Sequence, residues 1–205
     1  MSQENLVSQL IRDRRLKTPL LTEIFLSIDR KDFVMPDQVS FAYEDRPLPL
    51  IRNSTISQPT TVAIMFELLQ PQMNEKILDV GSGSGWTTAL LAEAVGSKGK
   101  VFGLEIHKDL VNLGSEHIKK YGFKNVKLLK ADPKRLGLAK EAPFDKILVS
   151  AAAPDVPHDL ISQLKIGGIM VIPILNSIFK ITRLNEDEVE AQEYPGFSFV
   201  PLVSS

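Results

Sequence analysis

The residues best suited to chemistry lie in one block, Asp79-Val80-Gly81-Ser82-Gly83-Ser84-Gly85-Trp86. Glycines at alternate positions let the backbone turn tightly and approach a ligand, with the amides of the next helix facing it. A dinucleotide fingerprint would need its third glycine at position 86, which is Trp86. The G-x-G-x-G spacing therefore suits a ligand without a pyrophosphate, and no G-x-x-x-x-G-K-[ST] loop occurs. Glu105 follows Gly85 at the end of an apolar run, where a carboxylate accepts hydrogen bonds from both ribose hydroxyls. Alone, the glycines fit a tight turn. With Glu105 at that distance they fit a nucleoside site, with Trp86 opening the next helix and packing beside it.

The elements that must hold this block follow from periodicity. Leu6, Leu10 and Ile11 share one face of a first helix, and a second spans about Pro19 to Ile28 with Thr18 as its N-cap. Met35 to Pro59 reads as a long connection broken by Pro36, Pro47 and Pro49, a length that is usually functional. A helix covers about Thr60 to Leu69. From Lys76 strands and helices alternate: KILDV, KVFGLEI, NVKLL, FDKILVS and GGIMVIPI are strands, with helices at Trp86 to Val95, Leu110 to Tyr121 and Pro157 to Leu164. Two further strands are expected at Ile178 to Leu184 and Glu188 to Leu202. The pattern predicts an α/β fold, a doubly wound, mostly parallel seven-stranded sheet with an N-terminal helical extension. Ligands in such sheets bind beyond the carboxyl ends of the strands. One domain is expected over 1–205, with helices and an active-site loop in 1–58 and a cofactor-binding core in 59–205.

Composition narrows the chemistry. In 205 residues, Lys+Arg number 24 and Asp+Glu 25, a net charge of −1 that argues against phosphate-driven nucleic-acid binding and against an anionic membrane surface. Cysteine is absent, which excludes disulfides, thiolate metal sites and cysteine nucleophiles. His107, His117 and His158 share no metal spacing and read as surface or satisfied histidines, so no metal is expected. Arg12, Arg14 and Arg15, and the lysines from Lys119 to Lys130, read as solvated surface. No apolar run reaches the roughly 20 residues of a membrane span, and MSQENLVSQLIRDRR lacks a secretory pattern. A cytoplasmic monomer is expected.

The glycine block, Glu105 and Gln163-Leu164-Lys165-Ile166-Gly167-Gly168 resemble a class I S-adenosylmethionine methyltransferase. Ala42-Tyr43-Glu44-Asp45-Arg46-Pro47-Leu48-Pro49 and Ser54-Thr55-Ile56-Ser57-Gln58-Pro59 resemble the protein-L-isoaspartate O-methyltransferase family. So do Asp29-Arg30-Lys31-Asp32-Phe33-Val34, Ala142-Pro143-Phe144-Asp145, Ala151-Ala152-Ala153-Pro154 and Phe199-Val200-Pro201-Leu202. The order holds over the whole chain, and the T-I-S-Q-P block is its most specific piece.

The resemblance implies methyl transfer from S-adenosylmethionine to the free α-carboxylate of L-isoaspartyl residues in damaged proteins and peptides, with S-adenosylhomocysteine as the product. It makes Ser57 the active-site serine. It assigns the cofactor to Thr55, Ile56, Asp79, Gly81, Ser82, Gly83, Glu105, Ile106, Asp132 and Pro133, with Asp132 at the adenine amino group. It assigns the substrate to Ser57, Gln58, Pro59, Ala152 and Pro154. A carboxylate is already ionised at pH 7, so no general base is required. A cap for the helix after Pro59 is a second role open to Ser57. S-A-A-A-P after the fourth strand is unlike the P-P-[YFW] of base methyltransferases.

The chain departs from the family at Ala131-Asp132-Pro133, where Gly-Asp-Gly is usual, near Ile51 and Asn53 and at Leu175, where glycine is usual, and at Ile169, usually Arg. Val203 replaces an often polar position just before the chain stops at Ser205. Two alternatives stay open: a binder of isoaspartyl or carboxylate-ended peptides that has lost turnover, and a methyltransferase for another carboxylate.

Overall fold

The computed structural model describes residues 2–202. Helices α1 (Gln3–Arg12) and α2 (Pro19–Ser27) open the chain, followed by 3-10 turns at Arg30–Phe33 and Pro36–Phe41. A two-stranded hairpin, β1 (Leu48–Pro49) and β2 (Thr55–Ile56), leads into α3 (Pro59–Leu69). The main sheet is built from β3 (Lys76–Val80), β4 (Lys100–Glu105), β5 (Val126–Lys130), β6 (Phe144–Val149), β7 (Leu164–Ile174), β8 (Ser177–Arg183) and β9 (Val189–Pro195). Helices α4 (Trp86–Val95), α5 (Lys108–Lys119) and α6 (His158–Ser162) lie between the strands. The spatial order is β5-β4-β3-β6-β7-β8-β9, parallel from β5 through β7 and antiparallel at β7–β8 and β8–β9. The winding reverses between β3 and β6, so the carboxyl ends of β3, β4 and β6 open onto one crevice.

Side-chain alternation along the strands divides the interior into two cores. Ile77, Val101, Leu148 and Val171 pack under α1 to α5, with Phe25, Phe66 and Leu90 among the buried residues there. Leu78, Val80, Phe102, Leu104, Ile147 and Met170 face the other way, onto Leu160 and Ile161 of α6. Burying each such side chain contributes about 1.5–3 kcal/mol.

Local details differ from expectation in four places. Ile11 is 44% exposed, and the buried stripe of α1 is Leu6, Val7 and Leu10. Thr18 stands at the N-cap of α2, but its hydroxyl donates to Glu67 Oε2, and it is Glu67 Oε1 that accepts from the Lys17 and Thr18 amides. The connection before Pro59 contains the β1–β2 hairpin, too short to show a period. Its turn places Arg52 and Asn53 at φ 60° and 55°, the left-handed region in which the family's glycine would be unstrained. Leu175, at φ 52° between β7 and β8, is a second such position. Last, the final strand ends at Pro195, not Leu202. Gly196 turns at φ 97°, the Gly196 and Phe197 amides donate to Asn176 O, and the chain returns across the crevice. There Ala152 N donates to Val200 O and Leu202 N to Ala152 O. Val203 lies outside the described residues.

Candidate active site

Three clefts meet at the carboxyl edge of the sheet, and Thr55 and Ser150 line all three. The first, with about 860 Å³ between its walls, runs over the ends of β3 and β4. Of the residues assigned to a cofactor, it brings together Thr55, Gly81, Gly83, Glu105, Ile106, Asp132 and Pro133. A narrower cleft beside it is lined by Ile56, Ser57, Gly81, Ser82, Gly83 and Trp86. The third, lined by Pro47, Ser57, Gln58, Thr61, Ser198 and Phe199, opens on the far side of Ser57. Ser57 thus stands on the boundary between the second and third clefts.

The glycine loop makes this arrangement possible. Gly81, Gly83 and Gly85 have φ of 80°, 50° and 87°, conformations a side chain would strain. The Gly81 and Ser82 amides donate to Leu104 O, which ties the loop to the end of β4. Glu105 is buried and held by two backbone donors, Gly83 N at 3.1 Å from Oε2 and His107 N at 2.9 Å from Oε1. Each oxygen keeps a lone pair for another donor. The Ser82 hydroxyl is buried with no hydrogen-bond partner among the described residues. A glycine cradle, a pre-oriented carboxylate and an unsatisfied buried hydroxyl fit a nucleoside with a polar tail. Asp132 lines the first cleft, and its Oδ1 accepts from Lys134 N at 3.0 Å in a local turn.

Asp79 lies elsewhere. It is fully buried behind the loop, off the cleft walls, and its Oδ2 accepts from the Thr87 and Thr88 hydroxyls at 2.8 and 2.6 Å. Its pKa is pushed from 3.8 up to about 6, chiefly by burial; the hydroxyls of Thr88 and Thr87 oppose the rise and the charge of Glu105 adds to it. The native state therefore holds the proton more tightly than the unfolded chain. The stabilisation is complete below pH 3.8 and is lost as pH rises to about 6, by roughly 2–3 kcal/mol. Asp79→Asn cannot ionise, so its stability relative to wild type should climb by that amount between pH 4 and pH 7. Urea unfolding at both pH values measures this, and parallel curves for the two proteins would refute the assignment.

Pro59, Ala152 and Pro154, assigned to the substrate, are not in the cleft walls. Pro59 is buried as the first residue of α3, the Ala152 backbone is bound to the returning segment, and Pro154 is exposed. Ser57 does not cap α3. Asp45 does, accepting from Thr60 N at 2.8 Å and Thr60 Oγ1 at 2.7 Å. Gln58 is fixed in the third cleft by its side-chain donation to Asp45 O. The sequence reading missed His107, Ser150 and Val200 to Leu202, all in the first cleft. Ser150 ends the β6 run, so the rule of carboxyl-end binding points to it; His107 acts through its backbone and the last segment arrives by tertiary return, for which no local signal exists. His117, half-buried, donates Nδ1–H to Ser84 O at 3.0 Å, and burial lowers its pKa. Among the described residues no three His, Asp or Glu gather as a metal group, and no helix is long and apolar enough to cross a membrane.

The family model for protein-L-isoaspartate (D-aspartate) O-methyltransferase matches residues 1–205. The chain belongs to this family. A protein-L-isoaspartate O-methyltransferase of Pyrobaculum islandicum is 43% identical over 205 residues, covering 98% of each chain. That of Methanopyrus kandleri is 39% identical, covering 98% of this chain and 91% of the relative. A solved structure from Plasmodium falciparum, described as a protein-L-isoaspartate O-methyltransferase in complex with S-adenosyl-L-homocysteine, superposes with a TM-score of 0.88 at 26% identity, covering 98% of both chains. Family membership and the shape of the first cleft agree on a nucleoside-bearing cofactor.

Proposed function

We propose that this chain is a protein repair methyltransferase, moving a methyl group from S-adenosylmethionine to the free α-carboxylate of L-isoaspartyl residues in damaged proteins and peptides. The observation that carries the reading is Ser57 on the boundary between the second and third clefts, with Thr55 and Ser150 joining both to the first, in a chain of this family. When bound, S-adenosylmethionine supplies an electrophilic methyl on a sulfonium that departs as a neutral thioether. Glu105 accepts from the ribose hydroxyls through the lone pairs its backbone donors leave unused. Asp132 Oδ2 takes the adenine amino group, and Ser82 with the glycine amides takes the polar tail. Ser57 donates its hydroxyl to one oxygen of the substrate carboxylate and so chooses the oxygen that faces the methyl. The returning residues Val200 to Leu202 exclude water, and alignment in a closed site supplies several kcal/mol of barrier lowering. No acyl transfer occurs, so Ser57 orients and does not attack. The partner is a damaged protein and not a nucleic acid.

Labelled methyl transfer to an isoaspartyl peptide beside its aspartyl twin tests the function. Base-labile label on the first alone is expected; binding of both peptides without label would leave the non-catalytic reading. The ribose contact has its own test. Glu105→Ala should weaken S-adenosylhomocysteine binding about tenfold or more, since hydrogen bonds to a charged acceptor are worth roughly 1.5–3 kcal/mol. Glu105→Gln should lose nearly as much, because its NH2 must face one of the two backbone N–H donors. Unchanged calorimetric affinity in both would remove Glu105 from the site.

A further inference from the structure

The third cleft does not end at Thr61. Two segments wall it, α3 and the returning chain from Glu193 to Val200, and the same two segments wall a further cleft at the other end of α3. Past Ser57 and Gln58 the lining continues on α3 from Thr61 to Ile64 and Leu68, one stripe at helical spacing. On the returning chain it passes from Phe199 and Ser198 to Phe197 and Tyr194. The two clefts are thus successive stretches of one groove. Its far end has an apolar floor and a rim of Arg14, Arg15 and Lys17. These three are exposed, and none makes an ion pair among the described residues. Two carboxylates share the rim with the three cations, which leaves it net positive, and both hold neutral donors of the fold. Glu67 accepts from Lys17 N, Thr18 N and Thr18 Oγ1, and Glu193 Oε1 accepts from the Ser177 hydroxyl at 2.6 Å.

Resting on the proposed function, we infer that the substrate polypeptide lies along this groove and that Arg14, Arg15 and Lys17 form a subsite for an acidic side chain flanking the isoaspartyl residue. From Pro59, where α3 starts beside Ser57, to Leu68 the helix rises about 14 Å, which an extended chain covers in about four residues. The subsite therefore reads the fourth position from the isoaspartyl residue.

The test uses isoaspartyl peptides, otherwise neutral, carrying Glu, Gln or Lys four positions before or after the isoaspartyl residue. On one of the two sides, Glu should lower KM about three- to fivefold relative to Gln at low salt, Lys should raise it, and kcat should stay the same, the size expected of solvated charge pairs. The spread should shrink at 0.3 M salt. In the variant Arg14→Ser/Arg15→Ser/Lys17→Ser, the ratio of the Lys-peptide KM to the Glu-peptide KM should fall close to one. That ratio is taken within one protein, so a general loss of activity cancels. Equal KM values on both sides in wild type, with the neutral peptide still methylated, would overturn the subsite and leave the proposed function standing. A ratio unchanged in the triple variant would overturn it too. Failure to methylate any isoaspartyl peptide would overturn both.

Discussion

Arg30→Met is expected to lower stability by about 2–4 kcal/mol and to depress turnover far more than cofactor affinity. Arg30 is 0% exposed and sits beneath the active-site loop. Its Nη1 donates to Ala42 O at 2.7 Å and Glu44 O at 3.2 Å, and its Nη2 to Arg46 O at 3.0 Å and Ser57 O at 3.1 Å. Its guanidinium carbon lies 5.3 Å from the ring centroid of Trp86, a residue of the second cleft. One side chain therefore joins the loop at positions 42–46, the backbone of Ser57 and the floor of the site. Burial lowers its pKa to about 10, so it remains a cation at pH 7 and its buried charge already has a cost. Methionine removes that cost but leaves the carbonyls of Ala42, Arg46 and Ser57 without their donor, while Glu44 O keeps the Arg46 amide, and the second effect is larger. Arg30→Lys should not rescue, because one ammonium cannot span two pairs of carbonyls as the planar fork does. Thermal melting should fall by roughly 5–15 °C in Arg30→Met, and folded protein below that temperature should bind S-adenosylhomocysteine within a few-fold of wild type. A variant that melts and turns over like wild type would show that the loop holds itself.

Elements with long, strong periodicity were readable in the residues. The parallel strands appear as uninterrupted apolar runs because both faces are buried, and the glycine loop shows because positive φ demands glycine at Gly81, Gly83 and Gly85. The place of Glu105 in the cleft was legible because it ends a strand, which is a local property. What escaped depends on contacts distant in sequence. Asp45 caps a helix fifteen residues away. Glu67 accepts the amides of Lys17 and Thr18 from across the fold, in place of the local cap expected of Thr18. Arg30 stood in a motif without an assigned role, since its acceptors are backbone carbonyls that carry no side-chain signature. For Asp79, the residue type in the motif does not reveal on which side of the strand the carboxylate lies, and here the pleat turns its Oδ2 inward to Thr87 and Thr88.

Ser57→Ala is expected to lower kcat about ten- to hundredfold while leaving both stability and cofactor affinity close to wild type. The first half follows from the loss of a single donor to the substrate carboxylate, worth on the order of 1–3 kcal/mol when it is needed in the transition state. The second half follows from what the hydroxyl does not do. Among the described residues the side chain of Ser57 makes no hydrogen bond; its only bond is through the backbone carbonyl to Arg30, which alanine retains. The amide and hydroxyl of Thr60 that a capping serine would be expected to serve are held by Asp45. A cap loss would cost about 1 kcal/mol and move the melting temperature by a few degrees. The two roles therefore separate cleanly: melting curves should superimpose, calorimetry with S-adenosylhomocysteine should agree within twofold, and turnover alone should drop. Asp45→Ala is the control, expected to lower the melting temperature through the orphaned Thr60 amide. If Ser57→Ala melts earlier and keeps its kcat, the hydroxyl is structural after all, and orientation of the carboxylate falls to another donor in the same cleft, with Ser150 the first to test because it lines all three clefts.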